Sequence, residues 1–317
     1  MAKAKKERKD WYSEFTGTMV SMLEEVLAKV EAGETKWVCP WDKTMDVPRN
    51  GSTNRCYNGI NILFTLIQQW KKGYGDCRWY TYKQASELNG GKGGVRKGEK
   101  GTKIVFWSFP KRKVQDEKTD AAGNVTQTER FKTIPLLGSW TVFNHEQIEW
   151  AEGCEPQLKI RCTEDPAERY AEVEALVDAL NPDLKHGGSR ACYSPSQDKI
   201  TMPRPATFNS TEDYLSTKLH ELAHWTGHAT RLDRSLDKGR FGDETYAMEE
   251  LVAELASALL CAELGVKGKM QHTEYLGHWL KVLKADKYAL FTAAKAAQKA
   301  TEYILKGGKV EEVAIAA

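Results

Sequence analysis

The chain has no C-x-x-C pair, and its seven cysteines, at 39, 56, 77, 154, 162, 192 and 261, are odd in number. That argues against a disulfide framework and against a cysteine zinc site, and it fits a reducing cytoplasm. No run of 18 or more apolar residues occurs, so no membrane-spanning helix is expected. The first ten residues, MAKAKKERKD, are charged and have no apolar stretch behind them, so no secretory leader is expected either. The phosphate loop G-x-x-x-x-G-K-[ST] is absent, which removes the NTPase signature. There is no internal repeat. Histidine is scarce, with seven in 317 residues, so any histidine cluster carries information.

Hydrophobic residues make up 41% and charged residues 28%, enough for a packed core, and the length suggests about two domains. The net charge of +2 hides an asymmetry. Residues 1–150 hold 25 Lys and Arg against 18 Asp and Glu, whereas residues 151–317 hold 21 against 26. Of the 31 Phe, Trp and Tyr, 19 lie in the first 150 residues, including eight of the ten tryptophans. Basic charge attracts phosphates and exposed aromatics stack on unpaired bases. A tryptophan-rich core under a solvated basic rim is the alternative.

The pattern predicts a charged tail over 1–10, a first domain over 11–150, a linker over 151–165 and a second domain over 166–317. Phe15, Met19, Leu23, Val26, Leu27 and Val30 share one face of a helix running from Trp11 to Ala32. A second helix turns Ile60, Leu63, Phe64 and Ile67 inward. A short helix over Thr81–Leu88 and strands over Thr102–Phe109 and Trp140–Phe143 follow, and 111–132 is either a hairpin excursion or a disordered loop. The second half begins with a helix from Pro166 to Leu180, then short strands at Ala191–Tyr193 and Lys199–Met202. Ser210 with Asp213 starts a helix in the manner of a capping box, and helices follow at 244–264 and 272–306. The fold class is α+β, with a small mixed N-terminal domain and a mainly helical C-terminal domain carrying a short sheet.

Within the helix after Ser210 stands His220-Glu221-Leu222-Ala223-His224, an H-E-x-x-H motif. Positions four apart share a helix face, so both imidazoles can reach one ion. Glu221 then lies beside the open coordination position, where it can take a proton from water and pass it to a leaving amine. A third ligand is needed, and the helix YAMEELVAELASALL offers Glu249, Glu250 and Glu254. The spacing resembles zinc peptidases with a downstream E-x-x-x-D/E helix, where the first acid binds metal and the later one braces a histidine. On that pattern Glu250 is the ligand and Glu254 the brace, with the reverse assignment open. His228 is the rival ligand, although Gly227 takes it off the helical register. Zn2+ is the default ion, with Mn2+ or another divalent cation compatible with the same donors. Tyr193, Tyr246 and His228 are candidates to stabilise an oxyanion, each with an ordinary structural role as the stronger alternative. The strand Asp198–Met202 could edge a substrate cleft, though an ordinary sheet strand is the simpler assignment.

The first half has no comparable motif, only clustering. Lys92, Arg96, Lys97, Lys100 and Lys103 fall among glycines just before Phe106 and Trp107. Arg49, Asn54, Arg55, Tyr57 and Asn58 form a second polar-basic group near Trp37 and Trp41. Glycines let backbone approach phosphates, and Lys and Arg release counterions on binding them. A solvated charged loop is the alternative.

The runs A-C-Y-S-P-S-Q-D-K-I-T-M-P, F-N-S-T-E-D-Y-L-S-T-K-L-H-E-L-A-H-W-T-G-H, R-L-D-R and Y-A-M-E-E-L-V-A-E-L resemble those of ArdC-type antirestriction proteins of conjugative plasmids. The runs R-C-Y-N-G-I-N, T-Y-K-Q-A-S-E-L, V-R-K-G-E-K-G-T and W-T-V-F-N-H-E-Q-I resemble the first domain of the same family, shared with plasmid TraC primase-like proteins. The resemblance spans about Trp11 to Ile304. It implies an N-terminal domain that binds single-stranded DNA without sequence preference and a C-terminal zincin-like, gluzincin-type metallopeptidase domain. It implies a role in shielding transferred plasmid DNA from host restriction. With the cytoplasm that the cysteines fit, action in a recipient cell after conjugation and a protein substrate on DNA are further expectations. His220, Glu221, His224 and Glu250 match the family's metal-site pattern. Two other functions stay open: a non-enzymatic strand-binding protein with a structural metal, and a DNA–protein crosslink protease.

Overall fold

A computed structural model describes residues 10–32, 47–108, 111–119, 125–133, 136–157, 166–234, 244–266 and 276–309. The first half runs α1 (Trp11–Glu31), β1 (Arg49–Asn50), α2 (Ile60–Lys72), β2 (Arg78–Thr81), α3 (Tyr82–Leu88), β3 (Gly94–Val95), β4 (Thr102–Ser108), β5 (Lys111–Thr119), β6 (Val125–Thr133), β7 (Leu136–Asn144) and β8 (Ile148–Glu149). Four strands form a sheet in the order β1-β2-β7-β4, with β7 antiparallel to both β2 and β4. Side chains alternate between the faces of a sheet. Trp79, Ile104 and Val142 are buried together on one face, while Val105 joins a separate helical core on the other. β4 is an edge strand, and α2 blocks it. Asn61 Nδ2 donates to Val105 O, and Val105 N–H donates to Asn61 Oδ1, both at 2.8 Å. The amide copies a strand partner and closes that stretch of edge.

The second half runs α4 (Pro166–Leu180), β9 (Asp183–His186), β10 (Cys192–Ser194), β11 (Lys199–Met202), α5 (Thr211–Trp225), α6 (Glu244–Leu264), α7 (Leu276–Ala285) and α8 (Ala289–Leu305). Its sheet has the order β10-β11-β9. Ile200 and Met202 of β11 lie beneath α5 and pack with Leu215, Leu219, Leu222 and Val173. α+β is therefore the observed class, and among the described residues no helix is long and apolar enough to cross a membrane.

Three features differ from the sequence reading. The helix expected over 272–306 is broken into α7 and α8. Asp286 Oδ1 accepts from Tyr288 N–H at 2.8 Å, a side-chain bond that competes with the helical ladder. Thr16 Oγ1 of α1 also donates to Lys287 O at 2.7 Å, and Lys287 Nζ reaches Asp10 at 2.7 Å, so α1 pins the break. Residues 151–157, expected as linker, are fastened to the first half. Ala151 N–H donates to Asn89 Oδ1 at 2.8 Å, Glu155 meets His145 Nε2 at 2.9 Å, and Arg78 donates to Pro156 O. The two halves also share a core: Phe15, Met19, Ile60 and Phe64 pack with Leu251, Leu255, Trp279 and Leu290. The tail over 1–9 lies outside the described residues, and over 111–132, where the sequence leaves a hairpin excursion or a disordered loop open, β5 and β6 pair antiparallel.

α6 carries Glu249, Glu250 and Glu254, and alanines set its position. Ala253 and Ala256 of α6 and Ala293, Ala297 and Ala300 of α8 are all buried in one core. Small side chains let the two backbones approach closely, and Thr301 Oγ1 lies 3.5 Å from Ala256 O. Inserting a large side chain there overpacks the seam. Ala297→Leu is expected to lower unfolding stability by about 1–3 kcal/mol, read from the urea midpoint. The exposed Lys299→Leu, two residues on, should change it by less than about 0.5 kcal/mol.

Candidate metal centre

α5 is positioned before it presents any chemistry. Ser210 Oγ accepts from Asp213 N–H at 3.1 Å, the serine half of the expected capping box. Glu212 and Asp213 place negative charge in the first turn, where the helix dipole favours it. With Leu215, Leu219 and Leu222 in the core, His220, Glu221 and His224 line a cleft. The two imidazole Nε2 atoms lie 3.2 Å apart. From α6, Glu250 brings one carboxylate oxygen to 3.6 Å from His220 Nε2 and the other to 3.6 Å from His224 Nε2. One donor atom from each of the three residues lies within 4.8 Å of the others. Two imidazole nitrogens and one carboxylate oxygen, all buried, are a donor set that fits zinc or another divalent first-row ion.

Each imidazole has a carboxylate at its second nitrogen. Glu254 Oε2 is 3.8 Å from His220 Nδ1, and Glu249 Oε1 is 3.2 Å from His224 Nδ1. Such partners fix the ring orientation and the tautomer. Burial opposes charge on His224, but Glu249 and Glu250 outweigh it and take its pKa up to about 10. Burial likewise disfavours the Glu250 carboxylate, and the two imidazoles override it, holding its pKa below the ordinary range.

Glu249 is itself gripped by Arg234. The guanidinium donates to both carboxylate oxygens at 3.0 and 2.7 Å, to Thr226 Oγ1 at 2.8 Å and to Ala223 O at 2.7 Å. It ties the last turn of α5 to α6. The chain folds back to place it, with Arg234 N–H donating to Gly227 O at 2.9 Å. Arg234 and the part played by Glu249 were missed in the sequence. The R-L-D-R run held Arg234, but nothing in spacing alone shows a loop returning to its own helix. His228 lies apart from the three-residue group: its Nδ1 is 2.9 Å from Thr230 Oγ1 and 3.8 Å from Asp198 Oδ2.

The cleft has a volume of about 670 Å3, and Tyr193, Tyr246 and Asp286 lie in its wall. β10 borders it rather than β11: among the described strands β11 is paired on both sides, whereas β10 is an edge strand whose Cys192 and Tyr193 line the cleft. Tyr193 Oη donates to Asp198 Oδ1 at 2.8 Å, and burial together with that carboxylate pushes the phenol pKa above its ordinary value. Arg231 pairs with Asp198 at 2.9 Å and lies 3.9 Å over the Trp225 ring. Hydrogen bonding from Arg231 holds the Asp198 carboxyl below its ordinary value.

In the first half, Asn54, Arg55 and Asn58 are exposed, as are Lys92, Arg96, Lys97, Lys100 and Lys103. Arg96 pairs with Glu99 at 2.8 Å, and Lys103 Nζ donates to Thr141 Oγ1 at 2.6 Å. Arg49 is buried, with its guanidinium 3.4 Å from Asn54 Oδ1. Tyr57 packs against two core clusters, and burial pushes its phenol pKa up. Trp107 lies on β4, but its side chain falls outside the described set, and Trp41 lies outside the described residues. Among the described residues of the sheet, Phe106 and Trp140 are exposed aromatics.

Two measurements check this geometry. Glu249→Gln and Arg234→Ala are each expected to weaken Zn2+ or Mn2+ affinity about 10–100-fold in chelator competition, with helical content retained. Unchanged affinity would remove the clamp from the site. The depressed Asp198 pKa contributes stability above the ordinary carboxylate value of 3.8, and that contribution fades as pH falls below it. Asp198→Asn should therefore be less stable than the parent at pH 7, with the gap closing toward pH 3 in a urea series.

Comparison with known proteins supplies the family. Residues 10–143 match the family model for the N-terminal domain of the anti-restriction factor ArdC, and residues 171–296 match a zincin-like metallopeptidase model. A DNA primase TraC of Escherichia coli is 39% identical over 295 residues, 90% of this chain. The chain spans only 26% of that primase's length. An uncharacterized protein y4eC of Sinorhizobium fredii is 35% identical over 285 residues, covering 88% of this chain and 89% of its own. The crystal structure of the antirestriction ArdC protein from the R388 plasmid, in metal-free form, superposes with a TM-score of 0.69 at 36% identity, covering 95% of this chain and 98% of its own. Its Mn(II)-bound structure gives 0.66 at 34% identity, covering 96% and 100%. With a zincin-like domain and a buried three-donor group that suits a divalent metal, this chain belongs to the ArdC antirestriction family.

Proposed function

We propose that this chain is a cytoplasmic antirestriction protein of a mobile element that binds single-stranded DNA with its first half and carries a metal-dependent peptidase site in its second. The observation that carries the peptidase reading is the convergence of His220, His224 and Glu250 in a cleft that Glu221 also lines. A divalent ion held there, with zinc the default and manganese compatible, supplies Lewis acidity for a peptide carbonyl and makes water a stronger acid. Glu221 takes the proton from the attacking water and delivers it to the leaving amine. The free edge of β10 offers backbone groups to an extended substrate, and Glu249, Glu254 and Arg234 keep the imidazoles oriented. The substrate class is protein lying on the DNA that the first half has bound.

The DNA reading is supported by the basic, aromatic-rich composition of residues 1–150, by the exposure of Lys92, Arg96, Lys97, Lys100 and Lys103, and by the match to the ArdC N-terminal domain. Phosphate contacts without base-edge readout make this binding independent of sequence.

A second reading has one observation in its favour. The metal ligands sit between α5 and α6, so an ion there also ties two core helices together. A purely structural ion would leave the protein a non-enzymatic strand binder. The same architecture on a repair substrate would be a DNA–protein crosslink protease, for which DNA-stimulated self-cleavage would speak.

Glu221→Ala separates these readings. Peptide hydrolysis by the metal-loaded variant is expected to fall by at least about 10^2-fold, with metal content and single-strand affinity unchanged. Hydrolysis at the parent rate would take Glu221 out of the chemistry. Full antirestriction by the same variant would favour the non-enzymatic reading. Affinity for single strands should exceed that for duplex and fall steeply between about 50 and 200 mM salt.

A further inference from the structure

We propose that one open corner of the first-half sheet is where an unpaired DNA strand is held. Tyr82 and Phe143 form its base-stacking step, and Lys100 and Lys103 beside them take the phosphates. The inference rests on the single-strand reading of the first half and assigns it a location.

Tyr80 of β2 pairs with Phe143 of β7, and Lys103 of β4 pairs with Thr141 of β7. Paired residues and alternate positions share a face, so Tyr80, Phe143, Thr141 and Lys103 stand together on one face. The opposite face is the one that buries Trp79, Ile104 and Val142. Along the first face an aromatic row steps outward from the core. Tyr80 is fully buried and Phe143 half-buried, while Tyr82, its ring centroid 6.5 Å from that of Phe143, is 64% exposed. Farther along the same face Val105 is buried in the helical core. The open part is the corner around Phe143 and the exposed Lys103.

Both rings stand on fixed backbone. Gln84 N–H donates to Thr81 Oγ1 at 3.2 Å and Thr81 N–H donates to Gln84 Oε1 at 2.9 Å, a capping box that fixes the turn carrying Tyr82. Phe143 lies over Gly101, where a Cβ would come within 3.0 Å of its ring and 2.4 Å of Thr141 Cγ2. Lys100 and Lys103 bracket that glycine in sequence, and both are exposed. Lys103 Nζ donates to Thr141 Oγ1 at 2.6 Å, a neutral acceptor that orients the ammonium and leaves its charge uncompensated. The diagonal from Lys103 to Phe143 spans about 7–8 Å across the two strands. Gln147 Nε2 donates to Lys100 O at 3.1 Å and to Glu99 Oε2 at 2.9 Å, which fastens the turn before Gly101. A surface ordered in advance loses less entropy on binding.

Charge and ring exposure together select the occupant. Residues 92–103 hold five cations against Glu99 alone, and Arg96 already pairs with Glu99. Among the described residues, Lys92, Lys97, Lys100 and Lys103 have no carboxylate partner. Exposed aromatic rings beside unpaired cations suit a polyanion with flat, accessible bases. Duplex DNA keeps its bases stacked on one another and cannot use the rings. A second copy would set one lysine group against another. An acidic polypeptide would satisfy the lysines and leave the rings idle.

The test is fluorescence anisotropy of a labelled oligo-dT of about 20 nucleotides with the full chain, over a series of salt concentrations. Tyr82→Ala is expected to weaken binding on the order of 10-fold with the salt slope unchanged, and Tyr82→Phe, which keeps a stacking ring, to retain most of it. Lys100→Gln with Lys103→Gln should weaken binding and flatten the log–log salt slope by about 1.4. Lys295→Gln with Lys299→Gln, an equal loss of exposed charge on α8, should leave affinity within about threefold. Equal losses from the two lysine pairs would reduce the attraction to overall charge and overturn the proposal. Parent-level binding by both Tyr82→Ala and the Lys100/Lys103 pair would overturn this location while leaving single-strand binding intact. No oligo-dT binding by the parent would overturn the single-strand reading, and this inference with it. Labelled poly-Glu bound as tightly as oligo-dT, and equally well by Tyr82→Ala, would give the corner to an acidic polypeptide and also overturn the proposal.

Discussion

The structure depends on one buried electrostatic junction between α5 and α6. Three carboxylates of α6, at Glu249, Glu250 and Glu254, meet two imidazoles of α5 and the Arg234 guanidinium in a region largely shut off from water. Isolated buried charges are costly, so such a group is tolerable only if every member has a partner. The partners are present and ordered: Arg234 holds Glu249, Glu249 holds His224, and Glu254 faces His220. Among the described carboxylates Glu250 is the one within 3.6 Å of both Nε2 atoms, which aims it at whatever cation occupies the centre. The cluster is therefore consistent as a binding site and poor as a mere core element.

The scaffold serves that junction from both halves of the chain. The alanine seam between α6 and α8 sets how closely α6 approaches. α1, at the far end of the sequence, packs in the same core and pins the break between α7 and α8 through Thr16 and Asp10. Asp286, in that break, is part of the cleft wall. The N-terminal half and the half that carries the candidate metal centre thus share one hydrophobic core.

Long periodic segments were legible in the sequence, because a 3.6-residue period survives any tertiary context: α1, α4 and α6 lie close to where their apolar spacing put them. The H-E-x-x-H geometry was legible for the same reason, since four residues on a helix fix two side chains relative to each other. The α7–α8 break was not, because its cause is a side-chain bond from Asp286 together with contacts from α1, more than 250 residues away. β1, β3 and β8 are two-residue strands with too little pattern to detect. Arg234 needed the fold-back of its loop. Tyr57 and Arg49 looked like surface groups by type but are drawn inward, whereas Trp140 looked like an ordinary strand residue and stands in solvent.

The central claim is that one divalent ion bridges α5 and α6 through His220, His224 and Glu250. Anomalous diffraction from crystals of the intact chain soaked in Zn2+ or Mn2+ tests it most directly. The account predicts a single strong peak about 2.0–2.2 Å from one nitrogen of each histidine and one oxygen of Glu250. A peak held by His228 or by Glu254 in place of Glu250, or no peak within coordination distance of all three, would contradict it.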